Sequence, residues 1–99
     1  MYTVQALWTQ AREQLHVVTL ICANRAYRIL QFESGRAGVA DPGEKALSLM
    51  DLSRPAIDWV RVAGGLGVPA SRPDSLASLR RDLLAALATP GPHLIEVAV

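Results

Sequence analysis

The sequence predicts an α/β fold, a three-layer sandwich around a mainly parallel sheet. Three observations carry this. Helical and strand patterns alternate along the 99 residues, the order that builds parallel sheets through helical crossovers. Val17 to Ala23 is a nearly unbroken apolar run rich in β-branched residues, the pattern of a strand covered on both faces. His93 to Val99 gives a second strand after the break Thr89-Pro90-Gly91-Pro92.

The elements follow in order. Val4, Leu7, Trp8, Ala11 and Leu15 fall at helical spacing and predict a buried stripe on a helix over about 3–14, with Thr3 as its cap. The first strand covers about 16–23 and holds Cys22, read as a small core residue. Arg28 to Ser34 is a short helical pattern ended by Gly35. A loop runs from Gly35 to Gly43, and Lys45 to Asp51 reads equally as a short turn or as a segment beside a ligand.

Asp58 is a good N-cap. Trp59, Val62, Ala63 and Leu66 then give a helix over about 58–66, ended by Gly67. Gly64 and Gly65 would allow close packing on the sheet. Val68 to Ser71 is a short strand whose Pro69 suits an edge or a strand start. Asp74 or Ser75 caps a helix over about 75–88 with the stripe Leu76, Leu79, Leu83 and Leu87, while Arg80 and Arg81 read as a solvated face. The last strand covers about 93–98, with Glu96 at its polar margin.

Composition narrows the function. The net charge of +1 gives no electrostatic case for nucleic acid. No apolar run is long enough to span a membrane. One cysteine rules out a disulfide within the chain and fits a reducing cytoplasm. His16 and His93 stand apart from any zinc-type cluster. No phosphate-binding glycine loop, Ser/His/Asp arrangement or HExxH motif occurs. Asn24 is the first strongly polar residue past the first strand, where ligands bind in open α/β sheets. Its amide oxygen would suit a hard cation. It is equally a turn residue, which spacing alone favours.

Met1-Tyr2-Thr3-Val4-Gln5-Ala6-Leu7-Trp8-Thr9-Gln10-Ala11-Arg12, the strand, and Ala23-Asn24-Arg25-Ala26-Tyr27 resemble a known family. It is the C-terminal pyrophosphate-binding domain of thiamine-diphosphate enzymes, in particular acetolactate-synthase-like large subunits and benzoylformate decarboxylases. Ile57-Asp58-Trp59, Gly64 to Val68 and Gly91 to Val97 resemble later parts of the same domain.

The resemblance implies that residues 1–99 are part of that domain, with its first strand missing. It implies thiamine diphosphate and Mg²⁺ as cofactors, with Asn24 ligating the metal through its side chain and Ala26 through its carbonyl. It places Tyr27 beside the diphosphate and Leu30, with Ile29, at the start of the helix that approaches the reactive ring. The family's Gly-Asp-Gly motif would fall just before Met1, and its catalytic Glu lies on a separate domain, so no residue here is implied to be catalytic. The implied parent is a cytoplasmic homo-oligomer, a transferase or lyase that carboligates or decarboxylates 2-oxo acids. The alternative is a non-catalytic α/β relic or interaction module that keeps only the fold.

Overall fold

The structure, a computed structural model, describes residues 2–38 and 41–99. Met1 of the resembling segment and Val39 and Ala40 of the expected loop lie outside the described residues. The elements are α1 (Ala6–Arg12), β1 (Val18–Ala23), α2 (Arg28–Arg36), α3 (Gly43–Met50), α4 (Trp59–Gly65), β2 (Ala70–Ser71), α5 (Leu76–Ala88) and β3 (His93–Ala98). They form two compact units: Met1–Ala23 with Asp58–Val99, and Asn24–Ile57.

The first unit is the predicted sandwich. Its sheet has the order β1-β3-β2, and both pairings are parallel. Val18 pairs with His93, Leu20 with Ile95, and Ala70 with Leu94. β3 is central, and Leu94 and Ile95 are fully buried. Successive strand side chains point to opposite faces. Leu94 packs with Leu7 of α1, Ala63 of α4 and Val68, joined by Val4, Ala11, Ile21, Trp59, Leu66 and Ala70. The other face carries α5, whose buried residue is Ala86.

Capping follows the sequence where the polar group sits one turn away. Asp58 Oδ1 accepts from the Arg61 N–H at 3.2 Å and starts α4. Ser75 and Ser78 form a reciprocal box at α5, with Ser78 in the place usually held by Glu or Gln. Thr3 is not the cap of α1. It has φ +64 and its hydroxyl donates to the Tyr2 carbonyl, so Gln5 takes the cap position without a side-chain bond.

Several burial expectations change. α1 ends at Arg12, so Leu15 leaves the stripe, and Trp8 is half exposed with the Arg12 guanidinium 5.5 Å from its ring centre. β2 is only two residues long, while Val68 serves the core instead. Leu76 and Leu87 face solvent, while Leu79 and Leu83 are partly covered and Ala86 is the buried position of α5. Gly64 and Gly65 have open space where a Cβ would stand. The close approach belongs to Gly67, at φ +83, where a Cβ would meet that of Ala11 at 3.3 Å.

β1 is an edge strand here and is not buried on both faces. Leu20 is 49% exposed, and Cys22 is exposed rather than a core residue. An unpaired edge with apolar side chains and no Lys or Pro to guard it pairs readily with another chain. The isolated chain should therefore self-associate as its concentration rises. Sedimentation velocity across a concentration series checks this, and a monomer with a sharp melt at all concentrations would refute it.

The sequence places Glu96 at a polar margin. In the fold it is 3% exposed, and its Oε2 accepts from Arg72 Nε at 2.9 Å and Nη2 at 2.7 Å. The same Nη2 reaches Asp58 Oδ1 at 2.8 Å. Arg72 thus ties β3 to the start of α4. The partner is 24 positions away in sequence, which is why Glu96 reads as solitary there.

Acid should loosen this unit. The Arg61 N–H bond, followed by Arg72, holds the Asp58 carboxyl below its ordinary 3.8, against the opposing effect of burial. Asp82 is held down chiefly by Arg81. A carboxylate whose folded pKa is depressed contributes stability above its unfolded pKa of about 3.9 and loses it as pH falls through the folded value. The urea midpoint should therefore drop below about pH 4. Asp58→Asn should make that drop shallower, and an unchanged acid limb would contradict the assignment.

In the second unit, α2 runs through Gly35 to Arg36, one residue beyond the expected stop. Gly43 to Met50 resolves the ambiguous segment as helix α3, which packs on α2.

Candidate functional site

The turn after β1 is built from three residues. Asn24 Oδ1 accepts from the Ala26 N–H at 3.2 Å, closing a local ring of the kind Asn makes at chain reversals. Arg25 between them sits at φ +54, the left-handed region. The turn reading and the ligand reading are therefore compatible. One lone pair of Oδ1 fixes the turn and the other stays open.

Ala26 lies opposite Asp51 in an antiparallel bridge. The Tyr27 N–H donates to the Met50 carbonyl at 2.9 Å, and the Leu52 N–H donates to the Arg25 carbonyl at 2.8 Å. These two bonds flank Ala26 and leave its own carbonyl without a donor among the described residues. Asp51 is engaged elsewhere. Its Oδ1 accepts from the Ser53 N–H at 2.8 Å, and its Oδ2 faces Arg54 at 3.3 Å. Ser53 first, then Arg54, holds this carboxyl below its ordinary value. The bridge from Ala26 to Asp51 has no sequence signal, because pairing across 25 residues is set by the fold.

Tyr27 is the N-cap residue of α2, and Leu30 follows in its first turn. Both are about half exposed. The structure thus gathers the four residues singled out in the sequence, Asn24, Ala26, Tyr27 and Leu30, within one turn and the helix it starts. Among the described residues, no group of three or more His, Cys, Asp or Glu side chains forms a metal-binding cluster. The turn offers two neutral oxygens from residues two apart. That donor set fits part of the shell of a hard cation, with the anionic oxygens supplied from outside the turn. No helix among the described residues is long and apolar enough to cross a membrane.

A family model described as the C-terminal TPP binding domain of thiamine pyrophosphate enzymes matches residues 1–97. The chain is 53% identical over 100 residues to a Mycobacterium tuberculosis protein named as an acetolactate synthase large subunit, IlvX; the match covers 100% of this chain and 19% of that protein. It is 34% identical over 97 residues to benzoylformate decarboxylase of Pseudomonas aeruginosa, covering 97% of this chain and 17% of that one.

Among solved structures, the Rhodococcus jostii RHA1 thiamine diphosphate-dependent 4-hydroxybenzoylformate decarboxylase superposes with a TM-score of 0.85 at 31% identity, over 99% of this chain and 17% of that one. Benzoylformate decarboxylase of Polynucleobacter necessarius gives 0.85 at 26% identity, over 100% and 17%. The chain spans less than a fifth of the length of these relatives.

Proposed function

We propose a function from one premise: this chain belongs to the C-terminal TPP-binding domain family of thiamine pyrophosphate enzymes. Residues 1–99 form part of that domain in a longer parent protein. Their task is to hold the diphosphate end of thiamine diphosphate through Mg²⁺.

The observation that carries this reading is the Asn24-Arg25-Ala26 turn. It presents an amide oxygen with a spare lone pair and, two residues on, a peptide carbonyl that takes no donor among the described residues. Asn24 and Ala26 would be the metal ligands. Tyr27 would stand beside the diphosphate, and Leu30 would lie along the helix that approaches the reactive ring. The cofactor supplies the carbanion chemistry when bound. The chain's own residues bind and orient it, and none of them is assigned a proton transfer. The parent would carboligate or decarboxylate 2-oxo acids, in keeping with the names of its relatives.

Calorimetric titration of the 99-residue chain with thiamine diphosphate, with and without Mg²⁺, tests the reading. Weak, Mg²⁺-dependent binding that disappears in Asn24→Ala is expected, with no turnover. Binding that ignores Asn24 would remove the metal assignment. Complete absence of binding would favour the second reading, an α/β module that keeps only the fold.

A further inference from the structure

The direction of the Ala26 carbonyl is set by the segment opposite it. Ala26 faces Asp51 in the antiparallel bridge, and the bonds that make the bridge belong to their neighbours. The Tyr27 N–H goes to the Met50 carbonyl, and the Leu52 N–H goes to the Arg25 carbonyl. In antiparallel pairs such positions alternate with ones that exchange their own N–H and C=O. Ala26 therefore turns both its N–H and its carbonyl away from Asp51. The N–H meets Asn24 Oδ1 on that side. The two oxygens of the turn share one side for this reason.

Residues 50–52 thus act as a strut behind the turn. The strut also holds Arg25, whose φ of +54 is a conformation that a residue with a Cβ keeps only where its surroundings fix it. Three residues with a single bridge are a weak support by themselves. Of Met50, Asp51 and Leu52, only Asp51 has a polar side chain.

Asp51 stands where the chain leaves α3. Its N–H still reaches the Ser48 carbonyl at 3.4 Å, and its backbone is already extended, with φ −87 and ψ 122. Its Oδ1 accepts from the Ser53 N–H at 2.8 Å. This side-chain bond to the residue two on turns the chain again directly after the bridge. The carboxylate therefore fixes both the length and the exit of the strut. Arg54 also reaches it, but is exposed and is the weaker partner.

We propose that Asp51 is a positioning residue for the Asn24 turn. By tying back Ser53 it holds residues 50–52 against Arg25 and Tyr27, and so keeps the Ala26 carbonyl outward beside Asn24 Oδ1. Asp51 itself is assigned no contact with the metal. The inference rests on the reading of Asn24 and Ala26 as ligands.

Two NMR measurements on the 99-residue chain test it: amide hydrogen exchange without cofactor, and paramagnetic broadening by Mn²⁺ with thiamine diphosphate. Mn²⁺ takes the same oxygen donors as Mg²⁺. Asp51→Ala should cost the Tyr27 and Leu52 amides about tenfold in protection and leave those of Leu94 and Ile95 unchanged. The Mn²⁺ concentration that broadens the Asn24 and Ala26 amides should rise about tenfold. Asp51→Asn keeps the acceptor for Ser53 and should restore both, while Arg54→Ala should change neither. Asp51→Ser, whose hydroxyl makes the same turn more weakly, should fall between, and decides the matter if Asp51→Ala does not fold. The exchange measurement involves no metal, so the two readings fail separately. Lost protection beside broadening that ignores Asn24→Ala supports the strut and removes the metal assignment. Undiminished protection in Asp51→Ala, or Asp51→Asn as damaged as Asp51→Ala, would overturn the proposal. So would unchanged broadening in Asp51→Ala beside a loss in Asn24→Ala.

Discussion

Replacing Asn24 by alanine should lower the affinity of the proposed site for thiamine diphosphate with Mg²⁺ at least roughly tenfold. Even groups that only orient a metal ligand are worth about 10- to 100-fold in affinity or activity. Asn24 is assigned a ligand oxygen as well as the bond that sets the turn. Mg²⁺ demands near-octahedral oxygen coordination, so a missing ligand is not made good by a methyl group. Asn24→Asp separates the two roles. It keeps an acceptor for the Ala26 N–H and an oxygen for the metal, so it should retain most of the binding. Ala26→Gly should change little, because the oxygen there is main chain. Thiamine diphosphate titrations at fixed Mg²⁺ check all three. Equal affinity in Asn24→Ala and the unchanged protein would remove Asn24 from the metal shell.

The largest structural effect should come from Arg72→Ala. Glu96 would keep its place on the central strand and lose both guanidinium bonds. Breaking a buried ion pair from one side is strongly destabilising, because the remaining charge has neither water nor partner. Arg72 itself is half exposed, so some water will reach the vacancy and moderate the loss. A fall in melting temperature of roughly 10 to 20 °C is expected for a domain of this size. The double variant Arg72→Ala/Glu96→Leu should recover much of it, since an apolar side chain asks for no counter-charge. Arg72→Lys should rescue only in part, because one ammonium cannot bridge Glu96 and Asp58 as the guanidinium does. A melt for Arg72→Ala within a few degrees of the unchanged chain would show that the clamp does little.

What could be read in the sequence was local. β1, β3, α4 and α5 are each announced by their own periodicity and by breakers next to them, and the parallel sheet followed from their alternation. The exposure of Leu20 and Cys22 was not legible, because an apolar run looks the same at the centre of a sheet and at its edge. The pairing of Glu96 with Arg72, and of Ala26 with Asp51, joins distant residues and leaves no spacing to notice. α3 was ambiguous because it is only eight residues long, too short for its pattern to exclude a turn. In the sequence Gly67 reads as a helix stop alone; its approach to Ala11 depends on where α1 docks. For the candidate site, the residues alone offered Asn24 and a turn. The family likeness adds the proposed roles, and the fold adds an Ala26 carbonyl that takes no donor among the described residues.

The chemistry of the two oxygens in that turn has a consequence for acid. A side-chain amide and a peptide carbonyl take up no proton in the ordinary pH range, unlike the carboxylates, thiolates and imidazoles that most cations meet in proteins. Hydrogen ions would therefore not compete with Mg²⁺ for Asn24 or Ala26. If Asn24 and Ala26 ligate Mg²⁺ as proposed, any sensitivity of metal loading to mild acid belongs to ligands that neither residue supplies. By themselves these two oxygens should hold the cation feebly, and almost equally feebly from about pH 5 to about pH 8.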